Sequence, residues 1–121
     1  MKVLIIEENP SSMKLVSDLL QLTGCDVLEA MDAQVGINIA RAQQPLIILM
    51  DLQLPGMDGF EAIEVLKNDE KTLNIKVIAM TAFAMKGDRE RILAAGFDGY
   101  ISKPIRYKEL LSMIQDFMKR G

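Results

Sequence analysis

The chain of 121 residues contains no histidine and no tryptophan, and Cys25 is its one cysteine. Without histidine, neither Ser–His nor Cys–His catalysis is available, and no imidazole can bind a metal ion. A lone cysteine cannot form an internal disulfide bond, which is typical of proteins from a reducing cytoplasm. The chemistry of this protein must therefore depend on carboxylates, hydroxyls and lysines.

Neither sign of charge is in large excess, and the sequence has no long apolar runs. There are 17 acidic and 14 basic side chains, and the absence of a basic excess argues against general nucleic-acid binding. No apolar run approaches the ~20 residues that span a bilayer, so we expect a cytoplasmic protein without a membrane span. Half of the residues are hydrophobic, which is enough to build a core, and the length suits one domain over residues 1–121.

Short apolar runs alternate along the chain with segments of helical period. The runs that predict strands are 3–6, 27–28, 46–50, 77–80 and 100–101. The segments that predict helices are 11–23, 33–40, 60–66, 88–95 and 107–118. Five strands alternating with five helices predict a (βα)₅ protein of the α/β class, with a parallel sheet between two helical layers. Ligands of such folds bind beyond the carboxyl ends of the strands, so the residues that follow the strands are the candidate site residues.

Acidic residues follow the first and third predicted strands. Glu7 and Glu8 come after the first strand, and Asp51 comes after the third. If these strands are neighbours, ~4.8 Å apart, the three carboxylates form a cluster that is unfavourable unless a cation lies among them. Oxygen ligands without histidine or cysteine select Mg²⁺ or Mn²⁺ over zinc or copper. We therefore predict a magnesium site, with manganese as the alternative.

A hydroxyl and a lysine follow the last two predicted strands, at Thr81 and Lys103. A metal, a lysine and a hydroxyl around one carboxylate are the parts that phosphoryl transfer requires, because that reaction depends on positioning and on cations. Asp51 would then be the nucleophile that forms an acyl phosphate. Each of these residues alone is more often a turn or capping residue. Four compatible residues at four strand ends favour the functional interpretation.

Four motifs occur in order along the chain: LIIEEN at 4–9, LMDLQLPGMDG at 49–59, MTA at 80–82 and SKP at 102–104. Together they resemble the receiver domain of two-component response regulators, and the resemblance covers residues 2–119. It implies a flavodoxin-like fold with strand order 2-1-3-4-5. It also implies that Asp51 accepts a phosphoryl group from a histidine kinase or a histidine phosphotransfer protein. Within the family, the chain is similar to single-domain regulators of the DivK type and to receivers attached to hybrid kinases.

The resemblance also implies a set of metal ligands. Glu8 and Asp51 would bind Mg²⁺ through their side chains, Gln53 through its backbone carbonyl and Glu7 through a metal-bound water. One residue departs from the family pattern, because the second acidic position is usually aspartate and here is Glu8. The extra methylene moves the carboxylate by ~1.5 Å, whereas Mg²⁺ requires nearly ideal octahedral contacts. We therefore expect weaker magnesium binding or a rearranged coordination shell.

Further roles follow from the same resemblance. Thr81 would donate a hydrogen bond to a phosphoryl oxygen, and Lys103 would pair with Asp51 or with its phosphate. The bond between Lys103 and Pro104 would be cis. Tyr100 would be the aromatic switch, although by itself a tyrosine on a short strand is more often explained by sheet packing. Phe83 would restrict the water that attacks the acyl phosphate.

The expected function is a phospho-accepting signalling switch that catalyses only its own phosphorylation and dephosphorylation. Its phosphorylated form would bind a downstream protein through the fourth helix, fifth strand and fifth helix. A flavodoxin is disfavoured because Glu7 and Glu8 would repel a flavin phosphate. A haloacid-dehalogenase-type phosphatase is disfavoured because Gln53 stands where that class has a second aspartate. The remaining alternative is a receiver-like protein–protein adaptor that Glu8 has made independent of phosphorylation.

Overall fold

The computed structural model describes residues 1–82 and 86–120, in which five strands alternate with five helices. The strands are β1 (Lys2–Ile6), β2 (Asp26–Ala30), β3 (Ile47–Asp51), β4 (Lys76–Thr81) and β5 (Gly99–Ser102). The helices are α1 (Pro10–Leu22), α2 (Ala33–Gln43), α3 (Gly59–Lys67), α4 (Lys86–Ala94) and α5 (Tyr107–Arg120). None of the helices in the described part of the chain has both the length and the apolar character needed to cross a bilayer.

The strands form one parallel sheet in the order β2-β1-β3-β4-β5, as the family resemblance implies. Side chains from α2, α3 and α4 pack on one face of the sheet, and side chains from α1 and α5 pack on the other. The central strand β3 is fully buried, which explains its continuous apolar sequence. The strand order places β1 beside β3, with Ile6 opposite Met50, so the residues that follow these strands meet at one edge.

Some boundaries differ from those that the apolar pattern predicts. Helix α1 begins one residue earlier, at Pro10, because the Asn9 side chain caps it by accepting hydrogen bonds from the backbone amides of Ser11 and Ser12. Helix α4 begins at Lys86, two residues earlier than predicted. Strand β2 is longer than its apolar signal because it is an edge strand with several half-buried or exposed positions. Despite these differences, the candidate site residues lie at the carboxyl ends of the strands, as predicted.

Candidate functional site

Four elements bring the predicted site residues to the carboxyl edge of the sheet. Asp51 is the last residue of β3 and Thr81 the last of β4, while Glu7 directly follows β1 and Lys103 directly follows β5. The backbone amide of Lys103 donates to the carbonyl of Thr81 at 2.8 Å, which continues the pairing of β5 with β4 beyond the end of β5. The structure therefore brings together all four strand ends that the sequence predicts.

Lys103 lies between two buried carboxylates. Its Nζ atom is 2.7 Å from Oε1 of Glu7 and 2.7 Å from Oδ2 of Asp51. Glu7 is 1% exposed and Asp51 is 6% exposed, so both ion pairs are largely shielded from water. We refer to Glu7, Asp51 and Lys103 as the acidic pocket. The contact with Asp51 agrees with the prediction, whereas the contact with Glu7 was not predicted.

The other oxygen of each carboxylate accepts a backbone hydrogen bond. Oε2 of Glu7 accepts from the amide of Asn9 at 3.1 Å, and Oδ1 of Asp51 accepts from the amide of Gln53 at 2.9 Å. In both cases the donor lies two residues further along the chain, which is the usual local pattern for a carboxylate at the start of a turn. Both carboxylates are therefore held in a fixed orientation by backbone amides on one oxygen and by Lys103 on the other.

Two residues of the acidic pocket, Glu7 and Lys103, have raised pKa values. Burial raises the pKa of the Glu7 carboxyl, and the neighbouring Asp51 carboxylate raises it further, against the effects of Lys103 and the Asn9 amide. Burial by itself lowers the pKa of Lys103, but its bonds to Asp51 and Glu7 outweigh that effect and leave the pKa above its ordinary value. Lys103 is therefore charged at neutral pH. The raised pKa of Glu7 thus reflects its burial first and the neighbouring Asp51 carboxylate second.

The expected cluster of three carboxylates is not formed. Glu8 is exposed, and the described residues contain no group of three acidic or cysteine side chains that could hold a metal ion. The ammonium group of Lys103 lies between the other two carboxylates and supplies the neighbouring positive charge. Glu8 directly follows the buried Glu7, at a bend of the chain between the end of β1 and the start of α1. The described residues therefore do not form the predicted three-carboxylate cluster in this structure, and the metal-ligand roles of Glu7, Glu8 and Gln53 stay predictions.

The donor atoms of the acidic pocket nevertheless suit Mg²⁺. Glu7 and Asp51 offer carboxylate oxygens at one edge of the sheet, and the backbone carbonyl of Gln53 lies two residues beyond Asp51. Each carboxylate oxygen has a second lone pair besides the one used in its observed hydrogen bond. No nitrogen or sulfur ligand is present in this set, so its chemistry favours a hard cation.

The other predicted residues lie around the acidic pocket. Thr81 is buried at the end of β4. Tyr100 is half-buried on β5 and packs against the core between the sheet and α2, α3 and α4, while the guanidinium of Arg89 lies 5.7 Å from its ring centroid. The peptide bond between Lys103 and Pro104 is cis, as the resemblance implies. Phe83 lies outside the described residues.

A close contact between α3 and the end of β3 was not identified as functional from the sequence. The amide of Gly59 donates to the carbonyl of Leu52 at 3.1 Å. A Cβ atom at position 59 would lie 2.8 Å from Cα of Leu52 and 3.0 Å from the carbonyl oxygen of Asp51. Only glycine fits there without a backbone shift. Gly59 thus fixes the loop that carries Gln53, and the signal that could have revealed it was the glycine that ends the 49–59 motif.

The fold and the acidic pocket together define a doubly wound α/β domain with its site beside the point where the strand order reverses. A family model described as the response regulator receiver domain matches residues 3–115, and the chain belongs to this family. It is 42% identical over 116 residues to the polar-differentiation response regulator DivK of Brucella ovis, covering 96% of this chain and 94% of that protein.

Solved structures agree with this assignment. The chain is similar to the receiver domain of a sensor histidine kinase from Pseudomonas aeruginosa PAO1, which has a magnesium ion coordinated in its active-site cleft. The TM-score is 0.90 at 32% identity, over 98% of this chain and 97% of the other. Chemotaxis response regulator CheY4 of Vibrio cholerae gives a TM-score of 0.90 at 25% identity, over 96% and 97% of the two chains. The flavodoxin-like receiver fold is therefore confirmed.

Proposed function

We propose that this protein is a phospho-accepting signalling switch in which Asp51 takes a phosphoryl group from a phosphohistidine donor. The observation that carries the proposal is the contact of Asp51 with Lys103 at 2.7 Å, at a strand end where Asp51 is almost fully buried. The burial keeps the carboxylate apart from bulk solvent, and the lysine provides a fixed positive charge beside the oxygen that accepts the phosphoryl group.

In the transfer step, one carboxylate oxygen of Asp51 forms a bond to phosphorus while the bond between phosphorus and the donor imidazole breaks. The electron pair of that bond leaves with the imidazole nitrogen, which takes up a proton, and the product is an acyl phosphate. Lys103 balances the charge of the phosphoryl group, and the hydroxyl of Thr81 donates to one of its oxygens. Hydrolysis by water returns the carboxylate and releases inorganic phosphate, so the protein acts only on itself.

The same proposal includes a bound Mg²⁺, with Mn²⁺ as the alternative ion. Asp51 and Glu8 would hold it through their side chains, Gln53 through its backbone carbonyl and Glu7 through a bound water. When bound, the ion neutralises charge on the phosphoryl oxygens during transfer. The crowding of negative charge in the acidic pocket supports this assignment, because a second cation would relieve it.

The phosphoryl donor we propose is a histidine kinase or a histidine phosphotransfer protein of a phosphorelay in the cytoplasm. The output we propose is a changed surface formed by α4, β5 and α5, which a downstream protein recognises. Tyr100 on β5 belongs to this surface, and in our proposal its ring turns inward when the hydroxyl of Thr81 moves toward the phosphoryl group.

Incubation with acetyl phosphate and Mg²⁺, followed by intact-mass measurement, tests the phosphoacceptor. We expect one phosphoryl adduct on the native chain and none on Asp51→Asn, because the amide is a poor nucleophile. The matched control is Asp32→Asn, since Asp32 caps α2 and asparagine caps helices equally well. This control is expected to retain the adduct. An adduct on Asp51→Asn at the native level would contradict the proposal.

A second candidate function is a receiver-like adaptor that binds partners without phosphorylation. The exposure of Glu8 outside the acidic pocket favours it, since that residue occupies the position of a metal ligand in the family. The same mass experiment decides between the two functions. No adduct from acetyl phosphate or from any phosphohistidine donor would support the adaptor.

Glu8→Asp is expected to bind Mg²⁺ about fivefold more tightly than the native chain, because the shorter side chain suits octahedral contacts better. The measurement is a Mg²⁺ titration followed by amide chemical shifts of the residues after β1 and β3. Glu8→Gln is the control, and it is expected to bind more weakly because it removes a charge. Equal affinities for the native chain and Glu8→Asp would show that residue 8 takes no part in binding.

A further inference from the structure

Helix α4 is attached to the sheet by little apolar surface. Among its side chains that the structure describes, Ile92 is buried at 1% exposure, and the others are half-buried or exposed. Leu93, which follows it, is 50% exposed. A helix on a globular domain usually buries an apolar stripe of several residues. Contacts other than core packing are therefore candidates for what helps to hold the described part of α4 in position.

Two arginines of α4 contact aromatic rings on the neighbouring elements. The guanidinium carbon of Arg91 lies 4.2 Å from the ring centroid of Phe60 on α3, and that of Arg89 lies 5.7 Å from the ring centroid of Tyr100 on β5. Both distances are within the range of cation–π attraction, ~6 Å. Phe60 is itself held edge-to-face against Phe97, with centroids 6.1 Å apart.

The spacing of these arginines matches the geometry of the helix. Residues two positions apart in an α-helix point about 200° apart, so Arg89 and Arg91 reach toward opposite sides of α4. Ile92 points into the core between them. One arginine therefore links the helix to α3 and the other links it to β5.

A cavity of about 250 Å³ lies between α3 and α4 and reaches the acidic edge of the sheet. Its lining includes Thr81 and Gln53 from the site, Phe60 from α3, and Arg91 and Ile92 from α4. The described side chains leave open space beside α4 on this side. Fewer contacts therefore oppose a displacement of the helix here than in a close-packed interior.

We propose that Arg89 and Arg91 are positioning residues that hold α4 in its place in the unphosphorylated protein. This proposal rests on the proposed function, since it describes how a phosphoryl group on Asp51 is coupled to the output surface. The chain has one state with both arginine–ring contacts formed and another in which α4 has moved and the contacts are lost. Each contact favours the first state, so removing them lowers the cost of the second. By thermodynamic linkage, removal of the contacts also strengthens the binding of any ligand of Asp51 that prefers the second state.

Amide hydrogen exchange of the unphosphorylated protein tests the restraint directly. In the double variant Arg89→Met and Arg91→Met we expect exchange of the α4 amides about five- to tenfold faster, with unchanged exchange in β1 and β3. The double variant with lysine at both positions keeps the cations and is expected to show a smaller increase. The control is Arg106→Met, an exposed arginine before α5, which is expected to leave α4 unchanged.

Unchanged α4 exchange in the methionine variant would overturn the proposal. An equal increase in α4 and in β3 would also overturn it, because the arginines would then support global stability rather than the position of one helix. These outcomes do not involve phosphorylation, so they are distinct from a failure of the proposed function.

The initial rate of phosphorylation by acetyl phosphate tests the coupling. We expect the methionine variant to react several-fold faster than the native chain and the Arg106→Met control to react at the native rate. Faster α4 exchange with an unchanged reaction rate would overturn the coupling. No reaction in any variant, including the native chain, would refute the proposed function, and the coupling with it, while the exchange result would still decide whether the arginines hold α4.

Discussion

Replacing Lys103 with methionine is expected to lower the free energy of unfolding by about 3 kcal/mol at about pH 7.5. The methionine keeps a chain of similar length but leaves Glu7 and Asp51 without the cation that lies 2.7 Å from each of them. An uncompensated buried charge is much more costly than a missing surface pair. Urea unfolding followed by circular dichroism measures the change. A loss of this size is a large part of the ~5–15 kcal/mol that stabilises a typical domain.

The loss of stability in Lys103→Met is expected to depend on pH, in a direction that follows from the shifted pKa values of Lys103 and Glu7. Because the pKa of Lys103 is raised in the folded protein, its stabilising contribution is complete below its ordinary value of 10.5 and decreases only when the pH rises through the folded value. Because the pKa of Glu7 is raised, ionising Glu7 costs stability as the pH rises above its ordinary value of 4.5. Without Lys103 this cost is larger. At about pH 5 the destabilisation of Lys103→Met is therefore expected to be roughly half of that at neutral pH.

Lys14 provides the matched control, because Lys14→Met removes an ion pair with Asp18 that is exposed to solvent. Ion pairs that are exposed to solvent contribute little, so this variant is expected to have the same stability as the native chain at either pH. If Lys103→Met and Lys14→Met behaved alike, the contacts in the acidic pocket would contribute no more than a surface pair. A loss at Lys103 that did not change with pH would contradict the role of Glu7.

Gly59→Ala is expected to destabilise the fold by about 2 kcal/mol and to slow phosphorylation of Asp51. The added methyl group would lie 2.8 Å from a backbone carbon of Leu52 and 3.0 Å from the carbonyl oxygen of Asp51. Because these are backbone atoms, a rotamer change cannot relieve the overlap, and the end of β3 must shift. Urea unfolding measures the stability change, and the rate of adduct formation with acetyl phosphate measures the displacement of Asp51.

Gly87→Ala is the control for this substitution, since a Cβ atom at position 87 meets no other atom within 4 Å. Gly87 is in α4, where alanine is a better helix former, so the change is expected to be neutral or to stabilise the protein by up to about 1 kcal/mol. A Gly59→Ala protein as stable as Gly87→Ala would show that the loop after β3 adapts freely and does not fix the site.

Much of the fold could be predicted from the sequence because the central strands are buried on both faces. Strands β1, β3 and β4 each contain an uninterrupted run of four apolar residues, with charged or polar residues only at their ends, which distinguishes them from the amphipathic helices around them. Strand β2 gave a weaker signal because, at the edge of the sheet, four of its five positions are exposed or half-buried. The order of the strands is not encoded in the periodicity of any one segment, and it was expected only through the family resemblance.

Part of the candidate site could also be predicted, because the predicted strands show which residues lie at the edge of the sheet. Asp51, Thr81 and Lys103 are found by asking which residues follow the strands, since the fold brings all strand ends to one edge. The bond between Lys103 and Glu7 joins residues 96 positions apart, and only the three-dimensional structure shows which carboxylates the ammonium group reaches. The contacts of Arg89 and Arg91 were missed because an arginine on a polar helix has no sequence feature that indicates an aromatic partner.

The long separation of Lys103 from its partners has a consequence for synthesis of the chain. Glu7 and Asp51 emerge from the ribosome well before Lys103, which lies 52 positions beyond Asp51. Until β5 docks against β4, the two carboxylates have no lysine beside them, and burying them together is unfavourable. We therefore expect the edge of the sheet around them to close only after the strand that brings the lysine has been made. If Asp51 is the phosphoacceptor that we propose, a nascent chain could be phosphorylated there only after the whole domain has folded.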